Sequence, residues 1–195
     1  MFAGELDMSK VKIPCDNGPY REGKGTFYEG GTRVVAFANW PGHINAGVVD
    51  GMIHVVDMYP TLLALAGGSS AKAKPIDGLN VWETISAGKQ SPRTELVYNV
   101  ENFRAGLREG DWKLIWGTTL PSKIELYNIP QDPSEKNNLA TQNPEKVTEL
   151  QKRVYELAAG MAKSPLLQEE FQAMLKRLRM PPALPGEEFE FNEEP

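Results

Sequence analysis

Asp16, Asn17 and Gly18 set a carboxylate, an amide and a flexible residue side by side, and Lys24 follows between Gly23 and Gly25. Taken alone, each has an ordinary reading. Asp-Asn-Gly is a turn, because short polar side chains fold back onto their own backbone and Gly accepts positive φ. A single lysine on a loop is a solvated one. Gly23, Gly25, Gly30 and Gly31 allow tight turns or the close approach of a ligand. Glu29 and Arg33 fit a structural ion pair or loop anchors better than catalysis. His43 follows Pro41-Gly42 in a loop. His54 stands at the entry of a helix with no second histidine near it, so neither histidine is given a catalytic part. Cys15 is the only cysteine, which excludes an intrachain disulfide and zinc sites built from several thiolates.

Composition narrows the classes. The chain has 195 residues, 41% hydrophobic and 24% charged, enough to bury a core in one medium domain or two small ones. Net charge is −5 without a long basic stretch, which argues against nucleic acid as the main partner. The longest apolar run, Leu62 to Ala66, falls far short of the ~20 residues of a membrane helix. Met1 to Lys10 carries Glu5 and Asp7 and lacks the apolar run of a signal peptide.

The elements that would position these residues follow from periodicity. Val11 and Ile13 alternate around Lys12 in a faint strand cut short by Pro14. Thr32 to Trp40, with the apolar run Val34 to Ala38, reads as a strand covered on both faces. Asp57 to Ala66 reads as a helix with Asp57 as N-cap, Pro60 in the first turn and Gly67-Gly68 as the stop. Residues 69–75 form a linker, and Asp77 to Ala87 a short helix or turn with Leu79, Val81, Trp82 and Ile85 inward. From Arg93 the period changes to two. Leu96, Tyr98 and Val100 alternate, then Phe103, Ala105 and Leu107. Trp112, Leu114 and Trp116 follow after a three-residue loop, Glu109-Gly110-Asp111, and a further strand covers Ile124 to Asn128. The two tryptophans fit a core better than a sugar platform. A helix starts at Pro144 and runs to about Met161, a second spans Leu166 to Arg179, and a Pro- and Glu-rich disordered tail ends the chain.

Several segments in order carry a resemblance. They are Asp16-Asn17-Gly18, the run Gly23-Lys24-Gly25-Thr26-Phe27-Tyr28-Glu29-Gly30-Gly31-Thr32-Arg33, and His54 to Leu63 followed by Ala66-Gly67. Downstream are Gly110-Asp111-Trp112-Lys113-Leu114-Ile115, then Glu125-Leu126-Tyr127-Asn128 and Asp132-Pro133-Ser134-Glu135. Together, over roughly residues 15–162, they resemble sulfatases of the arylsulfatase type. The resemblance implies an α/β class: the C-terminal part of an alkaline-phosphatase-like fold, with a small antiparallel sheet and helix as a subdomain. Residues 1–90 would then belong to the catalytic α/β domain, 91–180 to the α+β subdomain and 181–195 to the tail.

The same resemblance implies chemistry. Such enzymes attack the sulfur of a sulfate ester with the hydrated aldehyde of a formylglycine, made from the cysteine of Cys-x-Pro-x-Arg, while calcium binds the sulfate oxygens. Asp16 and Asn17 match metal-ligand positions, and a carboxylate and an amide carbonyl are the hard oxygens calcium takes. Lys24 matches the lysine that contacts sulfate, where a cation offsets charge developing on the ester. Cys15 is followed by Asp-Asn-Gly-Pro and does not match the formylglycine run, so the nucleophile is expected outside this chain. The implied function is sulfuric-ester hydrolysis, represented by a C-terminal fragment inactive alone, with calcium bound weakly or not at all. The implied partner is a sulfate-ester small molecule or a sulfated glycan, with neither nucleic acid nor a membrane involved. Relatives are usually exported or lysosomal. Two alternatives are a non-catalytic remnant binding a sulfated ligand or partner, and a phosphoryl-transfer relative on the same fold, which the Lys24 run disfavours.

Overall fold

The computed structural model describes residues 16–69, 74–101, 104–117 and 121–160. Cys15, the strand expected around Val11 and Ile13, Phe103, part of the 69–75 linker, the helix expected at Leu166 to Arg179 and the tail lie outside them. Four strands form one antiparallel meander in the order β1-β2-β3-β4: β1 Glu95–Glu101, β2 Arg104–Glu109, β3 Trp112–Gly117 and β4 Lys123–Asn128. The β2–β3 connection is tighter than expected. Glu109 pairs with Trp112, which leaves Gly110 and Asp111 as a two-residue loop. Gly110 has φ +54°, the positive value that two-residue hairpins require of a glycine.

The sheet has two covered faces. On one, Leu107, Leu114 and Leu126 lie in register across three strands, all fully buried. Helix α4, Pro144–Gly160, lays Val147, Leu150 and Val154 over them. That spacing places the three on one helical stripe. Trp112 and Trp116 join this core, and Trp116 meets Tyr155 edge-on at 5.4 Å between ring centres. Arg153 fixes the helix to β1 through a two-pronged contact with Glu95, at 2.7 and 3.1 Å. The outer edge of β4 is occupied as well. Asn138 accepts from the Leu126 N–H and donates to the Ile124 carbonyl, so that edge is not open for pairing with another chain.

The second face, opposite the leucines, carries Lys113, Glu125 and Tyr127 by alternation, and Tyr98 by a bulge. It is roofed by residues 21–32, which include the short helix α1, Glu29–Thr32. Phe27 lies so close to Gly106 that a Cβ there would stand 3.1 Å from the Phe27 ring. The register of β1 differs from simple alternation. Val97 pairs with Leu107 but Asn99 with Gly106, so Tyr98 is an inserted bulge residue. The bulge returns Val97 and Val100 to the α4 face and leaves Tyr98 to reach Glu29 and Lys113 on the other.

Before residue 93 the helix expected from Asp57 to Ala66 is present, while other expectations are corrected. The stretch 33–40 is no strand. Its apolar run stands open, with Val34 81%, Val35 96% and Phe37 93% exposed, because no described strand lies beside it to take its hydrogen bonds. The helix after His54 begins as a 3-10 turn, Val55–Asp57, and continues as α2, Met58–Leu65. Asp57 does not cap α2 with its side chain. It turns back to accept from the His54 N–H at 2.8 Å, crosses to the Leu79 N–H at 2.8 Å, and pairs with Arg93 at the foot of β1. Helix α3 is confined to Trp82–Ala87, with Val81, Thr84 and Ser86 buried and Leu79 exposed. Thr61 ties α2 to this segment, donating to the Asp57 carbonyl at 2.6 Å and accepting from the Val81 N–H at 3.0 Å.

Candidate functional site

The Gly-rich segment folds as two linked turns. Asp16 Oδ1 accepts from the Gly18 N–H at 2.8 Å, and Gly18 takes φ +60°. Asn17 Nδ2 donates to the Glu22 carbonyl at 2.5 Å and sits against Gly23, 3.1 Å from where a Cβ would stand. The second turn runs from Gly23 to Thr26. The Thr26 N–H and hydroxyl both donate to the Gly23 carbonyl, at 3.2 and 2.9 Å. Gly25 at its third position has φ +97°, the conformation a type II turn assigns to glycine. Lys24 is therefore at the apex, exposed to solvent. The structure brings Asn17 beside the turn that carries Lys24 and leaves Asp16 exposed next to Asn17.

Gly30 and Gly31 are where the loop rests on α1. A Cβ on Gly30 would lie 2.3 Å from the Glu22 carbonyl oxygen and 2.4 Å from that of Arg21. One on Gly31 would lie 2.5 Å from the carbonyl oxygens of both Gly23 and Thr26, the two ends of the Lys24 turn. Backbone cannot yield as a side-chain tip can. Gly31→Ala is therefore expected to cost roughly 1–3 kcal/mol, as overpacking does, read as a lowered urea midpoint at unchanged slope. A midpoint equal to wild type would show that the loop does not rest on α1.

Beneath α1 lies a buried charge cluster. Lys113, on β3, has no exposed surface. Its Nζ is 2.8 Å from Glu29 Oε1 and 2.9 Å from Glu135 Oε1, the latter an ion pair rather than an aligned hydrogen bond. It also stands 4.6 Å from the centre of the Tyr98 ring. Glu135 Oε2 accepts from the Glu29 N–H at 2.6 Å, and Glu135 itself holds φ +52°. Burial pushes the Glu135 carboxyl above its ordinary range, against the Glu29 N–H and Lys113, which favour its charge. Alongside, Arg21 lies 3.9 Å over the Tyr28 ring and donates to Tyr127 Oη at 3.0 Å and the Glu135 carbonyl at 3.1 Å. Tyr28 and Tyr127 both donate to the buried Glu125, at 2.7 and 2.9 Å. Burial would push Glu125 up, but the two phenols and Lys123 hold it below the usual carboxylate range. The same burial and the adjacent carboxylate raise both tyrosines.

Alternation in the sequence missed this cluster. Lys113 and Glu125 occupy polar positions of half-buried strands, which ordinarily face water. Only their place inside Gly-Asp-Trp-Lys-Leu-Ile and Glu-Leu-Tyr-Asn marked them, and their partner Glu29 sits in the Lys24 run itself.

As a calcium site the residues fit in kind and fall short in number. Asp16 and Asn17 offer two side-chain oxygen donors where calcium takes about 6–8 ligands. Among the described residues no group of three or more His, Cys, Asp or Glu is gathered to hold a metal ion.

Residues 22–161 match the family model described as N-sulphoglucosamine sulphohydrolase, C-terminal. The chain is 39% identical over 116 residues to mouse (Mus musculus) arylsulfatase J, covering 57% of this chain and 19% of that protein. Among solved structures, the PsFucS1 sulfatase of a Pseudoalteromonas species superposes with a TM-score of 0.60 at 28% identity, over 75% of this chain and 34% of that one. Ps i-CgsB, solved in complex with k-i-k-neocarrahexaose, superposes at 0.58 and 26% identity, over 71% of this chain and 32% of that one. The chain thus spans between a fifth and about a third of the length of these proteins. The match runs through both the Lys24 loop and the sheet that carries Lys113, and on it this chain belongs to the sulfatase family, as a C-terminal portion.

Proposed function

We propose that this chain is the sulfate-holding C-terminal part of a sulfuric-ester hydrolase of the arylsulfatase type. The observation that carries this reading is the Lys24 turn: an exposed ammonium at the apex of a loop otherwise locked to the protein, inside the segment matched to the family. A lysine held there meets a sulfate oxygen and offsets the charge that grows on it as the ester bond breaks. Asp16 and Asn17 supply two oxygens toward a calcium ion, which when bound neutralises the sulfate. The formylglycine nucleophile comes from outside these residues, since Cys15 is not in a Cys-x-Pro-x-Arg run. This chain alone is inactive in this reading. Residues 1–90 belong to the catalytic α/β domain, 91–180 to the α+β subdomain, and 181–195 are a tail. The substrate is a sulfate-ester small molecule or a sulfated glycan, a class supported by the oligosaccharide-bound relative.

The chain's own anion contact can be measured. Titration of the labelled chain with 4-nitrophenyl sulfate should shift the amides of residues 23–26, with affinity in the millimolar range or weaker, about 4 kcal/mol or less of binding. Lys24→Ala should abolish the shifts, and no nitrophenol should appear. Equal shifts in Lys24→Ala would remove the sulfate contact, and turnover by the chain alone would remove the assignment of its nucleophile elsewhere.

A further inference from the structure

We infer that Lys113, Glu29 and Glu135 are positioning residues for Lys24, so that the buried face of the antiparallel sheet sets where the sulfate-contacting ammonium stands. This deepens the sulfatase reading and rests on it for the role of Lys24.

Three contacts lead from the cluster to the turn. Lys113 Nζ grips Glu29 at 2.8 Å, with Glu135 on its other side at 2.9 Å. Glu135 also takes the Glu29 N–H at 2.6 Å, so both the backbone and the side chain of the first α1 residue are fixed from below. α1 in turn carries Gly30, whose N–H donates to the Arg21 carbonyl at 3.0 Å, and Gly31, whose bare Cα faces the carbonyls of Gly23 and Thr26. Those two carbonyls bound the turn with Lys24 at its apex. Arg21 closes the far side of the loop onto Tyr127 and the Glu135 backbone.

Charge explains why such a device is built from ions. Two carboxylates and one ammonium share a site with no exposed surface on Lys113. Glu135 is paired with Lys113, and Glu29 with Lys113 and, at 3.8 Å, with Arg33 at the C-cap of α1, so burying both carboxylates favours one register of α1 against β3. An apolar contact of the same size would tolerate sliding of the loop by a residue. This arrangement does not. Lys24 touches none of the three, and they act on it only through the backbone of residues 21–31.

The test uses the full chain and two mild variants, Glu29→Gln and Glu135→Gln, beside wild type and Lys24→Ala. Hydrogen exchange would be followed at the Thr26 amide, which closes the Lys24 turn, and at Leu107 and Leu114 in the sheet. The expected result is exchange at Thr26 faster by about tenfold or more in both Gln variants, with the two sheet amides unchanged, because local opening costs less than global unfolding. Weak binding of inorganic sulfate should fall in the Gln variants toward the level of Lys24→Ala. Unchanged protection at Thr26 in both variants would overturn the inference. So would equal loss at Thr26, Leu107 and Leu114, which would mean a merely structural role. If Thr26 loosens as expected while Lys24→Ala leaves sulfate binding unchanged, the clamp stands and the sulfate contact falls. If one variant does not fold, the other decides, since each removes a different carboxylate from Lys113.

Discussion

Lys113→Ala should destabilise the chain by about 3–5 kcal/mol, the loss typical when one partner of a buried ion group is removed. Truncation leaves two carboxylates, Glu29 and Glu135, facing each other in a space closed to water. Neither can recover full hydration, and like charges at that range oppose each other. The Tyr98 ring, 4.6 Å from Nζ, also loses its cation. Urea unfolding reads the effect as a drop in midpoint. The loss should shrink in the double variant Lys113→Ala with Glu29→Gln, because one stranded charge is gone. A single-variant loss within the ~0.5 kcal/mol of ordinary surface changes would show that Lys113 reaches water.

Asp57→Asn should cost a comparable amount, about 3–5 kcal/mol, and should change the acid limb of stability. Asp57 has no exposed surface and receives two backbone N–H groups and the Arg93 guanidinium. Burial alone would push its carboxyl up, but Arg93 and the Leu79 and His54 N–H groups hold it below the usual range. A carboxyl lowered in the folded state contributes stability that is fully present above its unfolded value, about 3.9, and is lost as pH falls below that through the folded value. Glu125, also lowered, acts in the same direction. Glu135 acts in the opposite one. Its raised folded value means that its contribution declines as pH rises above about 4.3. The gap between wild type and Asp57→Asn, measured by urea midpoint, should therefore be widest at neutral pH and narrow as pH falls below about 4. A gap constant from pH 7 to pH 3 would show that the Asp57 charge carries none of the interaction.

The half of the chain after Arg93 was legible because its strands alternate and pair in sequence order. Trp112, Leu114 and Trp116 point one way, and the helix starting at Pro144 supplies Val147, Leu150 and Val154 to cover them. The bulge at Tyr98 was not legible, since local pattern gave Tyr98 the same face as Val100, and only pairing with β2 shows the shift. The charge cluster on the polar face was not legible for a similar reason. Period two states that Lys113 and Glu125 lie opposite the leucines. It cannot state that a distant earlier segment returns to cover them, with Glu29 on Lys113 across 84 positions and Tyr28 on Glu125 across 97. The run Val34 to Ala38 failed in the opposite sense. Its composition suits a strand buried on both faces, but a strand exists only with a neighbour to receive its hydrogen bonds. The glycines at 30 and 31 were legible as places of close approach, and what approaches them is the backbone of the Lys24 loop itself rather than a ligand.

The most direct measurement is turnover by a chimera, in which residues 22–160 replace the matching segment of mouse arylsulfatase J, which supplies the remainder of a sulfatase. If this segment provides the sulfate-holding lysine, the folded chimera hydrolyses 4-nitrophenyl sulfate. Lys24→Ala within it then lowers kcat/KM by about 10²–10³-fold, the loss typical of removing one transition-state charge contact. A folded chimera whose turnover is the same with Lys24 and with Ala at that position would contradict the account.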